Sequence, residues 1–273
     1  MLTLDSGPAT AKRVEPVLPF LKREPALHGI AIGVLLADES AYLAIATRGG
    51  EPVGVGLCNE RKYLLSRSAD PGAAALLAED AARNLAALPG WMGPLPEIRD
   101  FNAACGNAGQ LAMAMRIYVL DTAPVLPAVS GRCRPATSND VDLLAAWHAA
   151  FGAEAHTGAR GQDGDRARID EAIAEGALRV WEDSGRVVSM AKSARGAPDS
   201  ARVSLVYTPP ELRRRGYASA CVAALSTELL RAGRRYCYLY ADLANPISNS
   251  IYRRIGYRAV ADVEDWRPAQ VPS

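Results

Sequence analysis

The sequence has few of the residues on which metal centres and disulfide frameworks depend. Its three histidines are widely spaced, and its five cysteines occur singly, without a Cys-x-x-Cys pair. An odd number of isolated cysteines argues against a disulfide framework and against a structural zinc site, and so few histidines argue against a histidine-rich metal centre. We therefore expect no metal cofactor.

Strong net charge and long apolar runs are also absent. The formal net charge of the 273-residue chain is +1, which gives no reason to expect nucleic acid or a membrane as a partner. No stretch approaches the roughly 18 apolar residues of a membrane span, and the N-terminus does not resemble a secretion signal. Since 49% of the residues are hydrophobic, the chain has enough apolar side chains for a buried core. We expect a soluble, cytoplasmic protein.

A segment rich in proline and small residues, 123–131, separates two halves in which similar elements follow one another. Because it lacks hydrophobic periodicity, it is predicted to be a linker. Each half is predicted to contain a hairpin, a third strand, a helix, a short strand and another helix. The sequence therefore predicts two related domains, 1–122 and 132–273, of an α/β type in which a mixed, mostly antiparallel sheet is flanked by helices.

The apolar periodicity and the turn residues place the individual elements. Strands are predicted at 41–47, 53–57, 62–66, 113–120, 132–136, 178–182, 187–193, 202–208, 235–241 and 257–263. Helices are predicted at 72–88, 96–107, about 137–151, 166–175, about 217–232 and 246–255.

A basic loop follows the strand predicted at 202–208 and opens an amphipathic helix. Residues 213–218 are Arg-Arg-Arg-Gly-Tyr-Ala. Free N–H groups at a helix N-terminus and the helix dipole attract anions, and arginine side chains favour phosphate. Gly216 allows a close approach of the backbone to a ligand, and the small Ala218 and Ser219 leave room beside it. The loop is predicted to bind an anionic group, but no Gly-Lys-Ser/Thr follows it as in a nucleotide-binding P-loop.

Two motifs resemble those of the GCN5-related N-acetyltransferase (GNAT) family. The segment 213–218 resembles Q/R-x-x-G-x-G/A, and the segment 245–257 resembles N-x-x-A-x-x-L-Y-x-x-x-G-F. The second segment departs mildly from the family pattern, with Ser248, Ile251 and Tyr257 in place of alanine, leucine and phenylalanine. The two motifs occur in the family's order and in matching structural contexts.

The resemblance, which extends over about 132–267, implies transfer of an acetyl group from acetyl-CoA to a primary amine of a small molecule or peptide. The pyrophosphate is expected on the backbone amides of the basic loop, and the pantetheine arm beside the preceding strand. The resemblance also implies direct attack in a ternary complex, with Tyr252 as the general acid that protonates the departing thiolate. The protein is expected to be a monomer or homodimer. The implied cofactor-binding residues are Val206, Tyr207, Thr208, Arg213, Arg214, Arg215, Gly216, Tyr217, Ala218, Ser219, Asn245, Ser248 and Tyr252.

The general base is not identified by the sequence. Many relatives use a glutamate on the strand before the loop, but here that strand carries Ser204, Val206 and Tyr207. Glu154 and His156, after the first helix of the C-terminal half, are side-chain candidates, and we name Glu154 as the catalytic candidate. A solvated loop carboxylate is the alternative for Glu154. Water is a further candidate for the base, because positioning alone supplies much of the rate.

The N-terminal half has no matching basic loop. Its third predicted strand is followed by Asp70 and Pro71, which spoil an anion site through negative charge and a missing N–H. We interpret this half as a degenerate copy of the same fold that does not bind CoA. It either helps to wall the acceptor site or only stabilises its neighbour.

Two other functions remain open. One is a transferase that uses a longer acyl-CoA, and the other is an acyl-CoA-binding sensor without turnover, which the missing strand carboxylate favours. An acyl-enzyme is not expected, since Cys221 and Cys237 lie within a predicted helix and strand, which suits packing better than nucleophilic attack.

Overall fold

The computed structural model describes residues 1–155, 162–195, 197 and 199–269. His156, one of the candidate bases, lies outside the described residues. The α-helices of the described part are α1 (Ala11–Val14), α2 (Val17–Leu21), α3 (Gly29–Leu35), α4 (Ala73–Asn84), α5 (Glu97–Ala104), α6 (Val141–Glu154), α7 (Gln162–Ala174), α8 (Tyr217–Arg231) and α9 (Pro246–Arg254). The strands are β1 (Leu2–Pro8), β2 (Tyr42–Arg48), β3 (Glu51–Cys58), β4 (Tyr63–Leu65), β5 (Trp91–Pro94), β6 (Gly109–Leu120), β7 (Arg132–Pro135), β8 (Leu178–Asp183), β9 (Arg186–Arg195), β10 (Ser200–Tyr207), β11 (Tyr236–Asp242) and β12 (Arg258–Pro268).

The strands form one continuous 12-stranded sheet in the order β1-β2-β3-β4-β5-β12-β6-β11-β10-β9-β8-β7. Neighbouring strands are antiparallel except for β4 with β5 and β10 with β11, which are parallel. The mixed, mostly antiparallel sheet with flanking helices confirms the predicted fold class. The elements predicted from periodicity are present, and their ends differ by a few residues.

The two halves exchange strands at the centre of this sheet. Strand β6, from the N-terminal half, lies between β11 and β12 of the C-terminal half. Strand β12 in turn lies between β5 and β6 of the N-terminal half. Since both exchanged strands form ladder hydrogen bonds on each side, the backbone of each half completes the sheet of the other. The segment 123–131 lies between β6 and β7 without regular secondary structure, and its place as a domain boundary stays a prediction.

The first 40 residues, for which the periodicity predicts no element, contain β1 and α1–α3. Strand β1 extends the sheet by pairing along β2, from Leu2 opposite Arg48 to Pro8 opposite Tyr42. Residues 26 and 27, between α2 and α3, pack in one cluster with apolar side chains of β6, β11 and β12. One face of the central sheet is therefore covered by the N-terminal half, whereas α8 and α9 pack on the opposite face.

Strands β10 and β11 separate soon after they begin. Their parallel pairing ends at Arg202 opposite Tyr238, although β10 continues to Tyr207 and β11 to Asp242. In the same stretch the register of β10 shifts against β9, and Leu205 takes a left-handed conformation with φ of 50°. A bulge of this kind bends its strand. The result is a V-shaped gap between β10 and β11, at the end of β10 that leads into the basic loop.

Candidate cofactor site and active site

The basic loop presents a run of unoccupied backbone donors. Within the described part of the chain, the six N–H groups of residues 214–219 have no hydrogen-bond partner, and the first α8 amide to bond the backbone is that of Ala220, to the carbonyl of Gly216 at 3.0 Å. Arg214 and Gly216 take left-handed conformations, with φ of 66° and 86°, as the chain turns into the helix. The free N–H groups, the α8 dipole and the exposed arginines all contribute positive potential at this loop, which is the electrostatic character expected of an anion site.

The segment 123–131 forms one side of this loop. A Cβ atom on Gly216 would lie 2.8 Å from Cγ2 of Val129, so the chain requires glycine there for space as well as for its conformation. Val129 packs with Leu212 and Tyr217. Val129, within the segment predicted to be a linker, therefore contacts the candidate site. The only sequence signal for this contact is that Val129 is an apolar residue between two small ones.

Arg213, whose side chain is partly exposed, joins the loop to the end of α6. Its Nη2 donates to both carboxylate oxygens of Glu154, at 2.7 and 2.8 Å. Its Nε donates to the carbonyl of Thr208 at 2.8 Å, and its guanidinium lies 5.7 Å from the ring centroid of Tyr207. The structure thus brings four predicted site residues together. The carboxylate of Glu154 is paired with the guanidinium of Arg213, and this pairing is suited to holding the loop in place.

Tyr252 is buried on α9 between two other tyrosines. Its ring centroid lies 6.0 Å from that of Tyr118 and 6.1 Å from that of Tyr257. Those neighbours bond Asn249 and Ser226 through their hydroxyls, whereas the Tyr252 hydroxyl has no hydrogen-bond partner among the described residues. Burial raises the pKa of Tyr252 to about 12, so at neutral pH its phenol is protonated and able to donate.

The start of α9 is fixed by two asparagines. Asn245 caps the helix, since its Oδ1 accepts the N–H of Ser248 at 3.0 Å. The family resemblance implies that Asn245 binds the cofactor, whereas the structure shows its side chain bonded to the helix backbone. Asn249, which sequence reasoning missed, is buried and its Nδ2 donates to the carbonyls of Asp242 and Asn245, both at 2.7 Å. These bonds hold Tyr252 on a helix anchored to the end of β11.

The end of β10 divides its side chains between the two faces of the sheet. Val206 packs against the cluster that contains Tyr252 and Cys221, and Tyr207 packs with α6 and α7. Cys221 and Cys237 are fully buried, and burial raises the pKa of the Cys237 thiol to about 12. Neither thiol is therefore disposed to act as a nucleophile.

The loop after β4 satisfies its own backbone donors. Its N–H groups bond buried or nearby acceptors of the N-terminal half at 2.9–3.2 Å. A hydrogen bond from the N–H of Gly72 lowers the pKa of Asp70, so this carboxylate remains charged at the start of α4. The bonds run from Ser66 N to Val55 O, Arg67 N to His28 Nε2, Ser68 N to Glu97 Oε1, Ala69 N to Val53 O, Asp70 N to Ser68 Oγ, and Gly72 N to Asp70 Oδ1.

The parallel pair β4–β5 also leaves less room than β10–β11. Its last pair is Leu64 opposite Met92. At the next position, a Cβ atom on Gly93 would lie 2.8 Å from the Cβ of Leu65, so the two strands are in close contact where β10 and β11 diverge. The predicted loss of the anion site in this half therefore coincides with a closed strand gap.

The described residues contain no group of three or more His, Cys, Asp or Glu side chains arranged to hold a metal ion. Within the same part of the chain, no helix combines the length and the apolar character needed to cross a membrane.

The region of this chain that matches a known family model contains this site. The family model described as FR47-like protein matches residues 184–267, which contain β9–β12, the basic loop, α8 and α9. No protein with a curated function matches the chain in sequence.

Solved structures resemble the whole chain. A GNAT-family acetyltransferase from Colwellia psychrerythraea has a TM-score of 0.62 at 11% identity, covering 98% of this chain and 100% of that chain. A GCN5-related N-acetyltransferase from Sphaerobacter thermophilus has a TM-score of 0.65 at 13% identity, covering 98% and 97%. A tandem GNAT protein from the clavulanic acid biosynthesis pathway has a TM-score of 0.55 at 14% identity, covering 100% of both chains. The chain therefore has the GNAT fold, and the comparisons confirm the resemblance that the two motifs indicate.

Proposed function

Because the chain has the GNAT fold and its residues 184–267 match the FR47-like family model, we propose that it is an N-acetyltransferase that transfers the acetyl group of acetyl-CoA to a primary amine. The observation that carries this proposal is the run of free N–H groups at 214–219, placed where β10 separates from its parallel neighbour. A phosphate-bearing ligand with a long, thin arm matches an anion site that continues into a gap between strands.

The cofactor would lie along this path from the loop into the sheet. Its pyrophosphate would accept hydrogen bonds from the N–H groups of 214–219, with Arg214 and Arg215 supplying positive charge. Its pantetheine arm would bond the backbone at 206–208, which no longer pairs with β11. The side chain of Asn245 would stay on the helix backbone, since Ser248 already occupies its Oδ1.

The chemistry requires a neutral amine and a protonated acid. The amine nitrogen would attack the thioester carbonyl carbon, the carbon–sulfur bond would break, and the thiolate would take a proton from the Tyr252 hydroxyl. The proton that the nitrogen loses as the amide forms would return through solvent to the Tyr252 oxygen. The raised pKa of Tyr252 keeps that proton in place until the thiolate forms. The proton of the substrate ammonium passes to water, because β10 carries no carboxylate.

Glu154 is assigned a positioning role in this proposal. Its two oxygens accept from Arg213, which in turn holds the Thr208 carbonyl at the end of β10. A carboxylate held in this way fixes the position of the residues that lead into the loop. Protonating the carboxylate would weaken the ion pair.

Two measurements with purified protein test the function. Calorimetric titration should show one acetyl-CoA bound per chain, and a thiol-release assay with a panel of primary amines should show turnover. Absence of acetyl-CoA binding would overturn the proposal. Binding without thiol release from any amine would instead favour the sensor, and a higher kcat/KM with longer acyl-CoA donors would change the donor.

A further inference from the structure

A group of donors without acceptors lies at the apex of the β10–β11 gap. Arg202 and Tyr238 form the last residue pair before the strands separate, and paired residues on parallel strands point to the same face. This is the face opposite α8 and α9, because Tyr238 packs with β6 and β12 side chains while Val203 and Leu239 pack towards α8.

Both side chains have buried polar atoms without partners. The Nε of Arg202 and the hydroxyl of Tyr238 are inaccessible to solvent and make no hydrogen bond, and Tyr238 is 0% exposed. Among the described residues, no carboxylate pairs with Arg202. A buried donor without an acceptor is costly, so a group of them in one place indicates a ligand that supplies the acceptors.

Lys192 adds a second cation on the neighbouring strand. Lys192, on β9, lies opposite Ser204 of β10 and is therefore diagonal to Arg202 on the same face. The described residues offer Lys192 no ion-pair partner. Lys192, Ser204 and Arg202 are each partly exposed, so this surface of β9 and β10 is open to solution, whereas Tyr238 lies buried beside it. Two unpaired cations on the same face of adjacent strands attract an oxyanion.

The walls of this region come from both halves. On one side, α6 and α7 pack over Leu205 and Tyr207. On the other side, the N-terminal half covers Tyr238, where Gly29 at the start of α3 is needed because a Cβ atom would lie 2.5 Å from the tyrosine hydroxyl. The exposed surface of β9 and β10 between these walls lies next to the point where the thioester would enter the sheet.

We propose that Arg202, Tyr238 and Lys192 bind an oxyanion carried by the acceptor, so that the acceptor is an amine bearing a carboxylate or phosphate group. This inference rests on the proposed function. Arg202 would donate through its guanidinium, Tyr238 through its hydroxyl, and Lys192 would supply charge. The oxyanion would orient the amine towards the gap in which the acetyl group lies.

The test compares amines that differ in the oxyanion. The wild type should have a higher kcat/KM for β-alanine than for propylamine, and for phosphoethanolamine than for ethanolamine, and the larger of the two ratios identifies the oxyanion. Arg202→Gln should lower kcat/KM for the anionic amines about tenfold to a hundredfold, mainly through KM, because it removes a charge-assisted hydrogen bond. Tyr238→Phe, which keeps the packed ring, should have a smaller effect in the same direction, and Arg202→Lys should restore part of the loss.

Arg83→Gln is the matched control, since it removes one exposed arginine from α4 and should leave all the ratios unchanged. The acetyl-CoA affinity of each variant shows that it is folded. Equal use of charged and neutral amines, unchanged in Arg202→Gln, would overturn the inference and leave the proposed function intact.

If no amine is acetylated, the proposed function fails and the site is judged by binding alone. Calorimetric titration of the CoA complex with β-alanine and with phosphoethanolamine should then show binding that Arg202→Gln abolishes. Absence of binding would overturn the inference as well.

Discussion

The loops that follow β4 and β10 use their backbone N–H groups in opposite ways. After β4, the N–H groups from 66 to 72 are taken up by acceptors of the same half, and the carboxylate of Asp70 lies at the start of α4. After β10, the six N–H groups of 214–219 have no partner in the described part of the chain. The difference is therefore in the supply of unsatisfied donors: only the loop after β10 has a run of N–H groups left free to bind the proposed anion.

The spaces between the parallel strands beside these loops also differ: the space between β4 and β5 is closed, and the space between β10 and β11 is open. The close contact of Leu65 with Gly93 follows directly on the last β4–β5 pair, whereas β10 and β11 separate beyond Arg202 and Tyr238. Two independent features therefore distinguish the halves, and a change in one of them should not convert one half into the other.

The largest effect is expected from placing a carboxylate in the C-terminal loop. Gly216→Asp should weaken acetyl-CoA binding by at least about 100-fold, because its charge repels phosphate, its side chain competes for the free N–H groups, and its Cβ meets Val129. Calorimetric titration measures the change. Gly216→Ala separates the effects, since it adds only the Cβ and should lose less affinity; equal losses in both variants would show that charge has no part.

Removing one hydroxyl tests the acid. Tyr252→Phe should lower kcat about 100-fold, because general acid catalysis typically contributes that much, while the acetyl-CoA affinity stays near that of the wild type. Tyr257→Phe is the matched control, because its hydroxyl bonds Ser226 within the core and should affect stability without affecting kcat. Unchanged turnover in Tyr252→Phe would defeat the assignment.

Acid should act on the N-terminal half through His28. This buried histidine accepts the N–H of Arg67, and burial lowers its pKa below the usual value of about 6.5. The unfolded chain therefore binds the proton more readily, and the free energy of unfolding should fall as the pH drops below about 6.5, by at most about 1.4 kcal/mol per pH unit. Urea unfolding between pH 8 and 5 measures the slope.

The matched variant for this slope is His28→Asn. It should be less stable than the wild type at pH 8 and should show a smaller dependence on pH. An equal slope in the two proteins would assign the acid sensitivity to other groups.

Glu154→Gln separates a base from a positioning residue. We expect acetyl-CoA affinity to fall only about threefold, since the pair with Arg213 is half exposed, and the pH profile of kcat/KM to keep its shape. Glu211→Gln is the matched control, because it removes the charge of an exposed carboxylate that lies just before the basic loop. A large fall in kcat together with loss of the acidic limb of the profile, where a base becomes protonated, would make Glu154 the base instead.

The smallest effect is expected in the N-terminal loop. Asp70→Ala should leave the stoichiometry at one acetyl-CoA per chain, because the other N–H groups keep their acceptors and the β4–β5 gap stays closed. Asp70→Asn, which keeps a cap for Gly72 but removes the charge, is the matched control. A second bound acetyl-CoA in the alanine variant would show that the carboxylate alone excludes the cofactor.

Local patterns were sufficient for much of the fold. Periodicity predicts β2, β3 and the helix α8, and the left-handed glycines Gly216, Gly233 and Gly256 lie at helix ends. The first 40 residues escaped prediction because α1–α3 are short and derive their stability from packing on the sheet. The pair of Arg213 with Glu154 also escaped prediction, since 59 residues separate its partners.

By itself the sequence determined the order of helices and strands beyond residue 40, the place of the basic loop and the absence of a carboxylate on β10, because these follow from periodicity and residue type. Only the tertiary structure decided that β6 and β12 exchange between the halves, since ladder partners distant in the chain leave no local signal. It also decided which of the two loops keeps its N–H groups free. That outcome depends on acceptors such as His28 and Glu97, which the fold brings to one loop and not to the other.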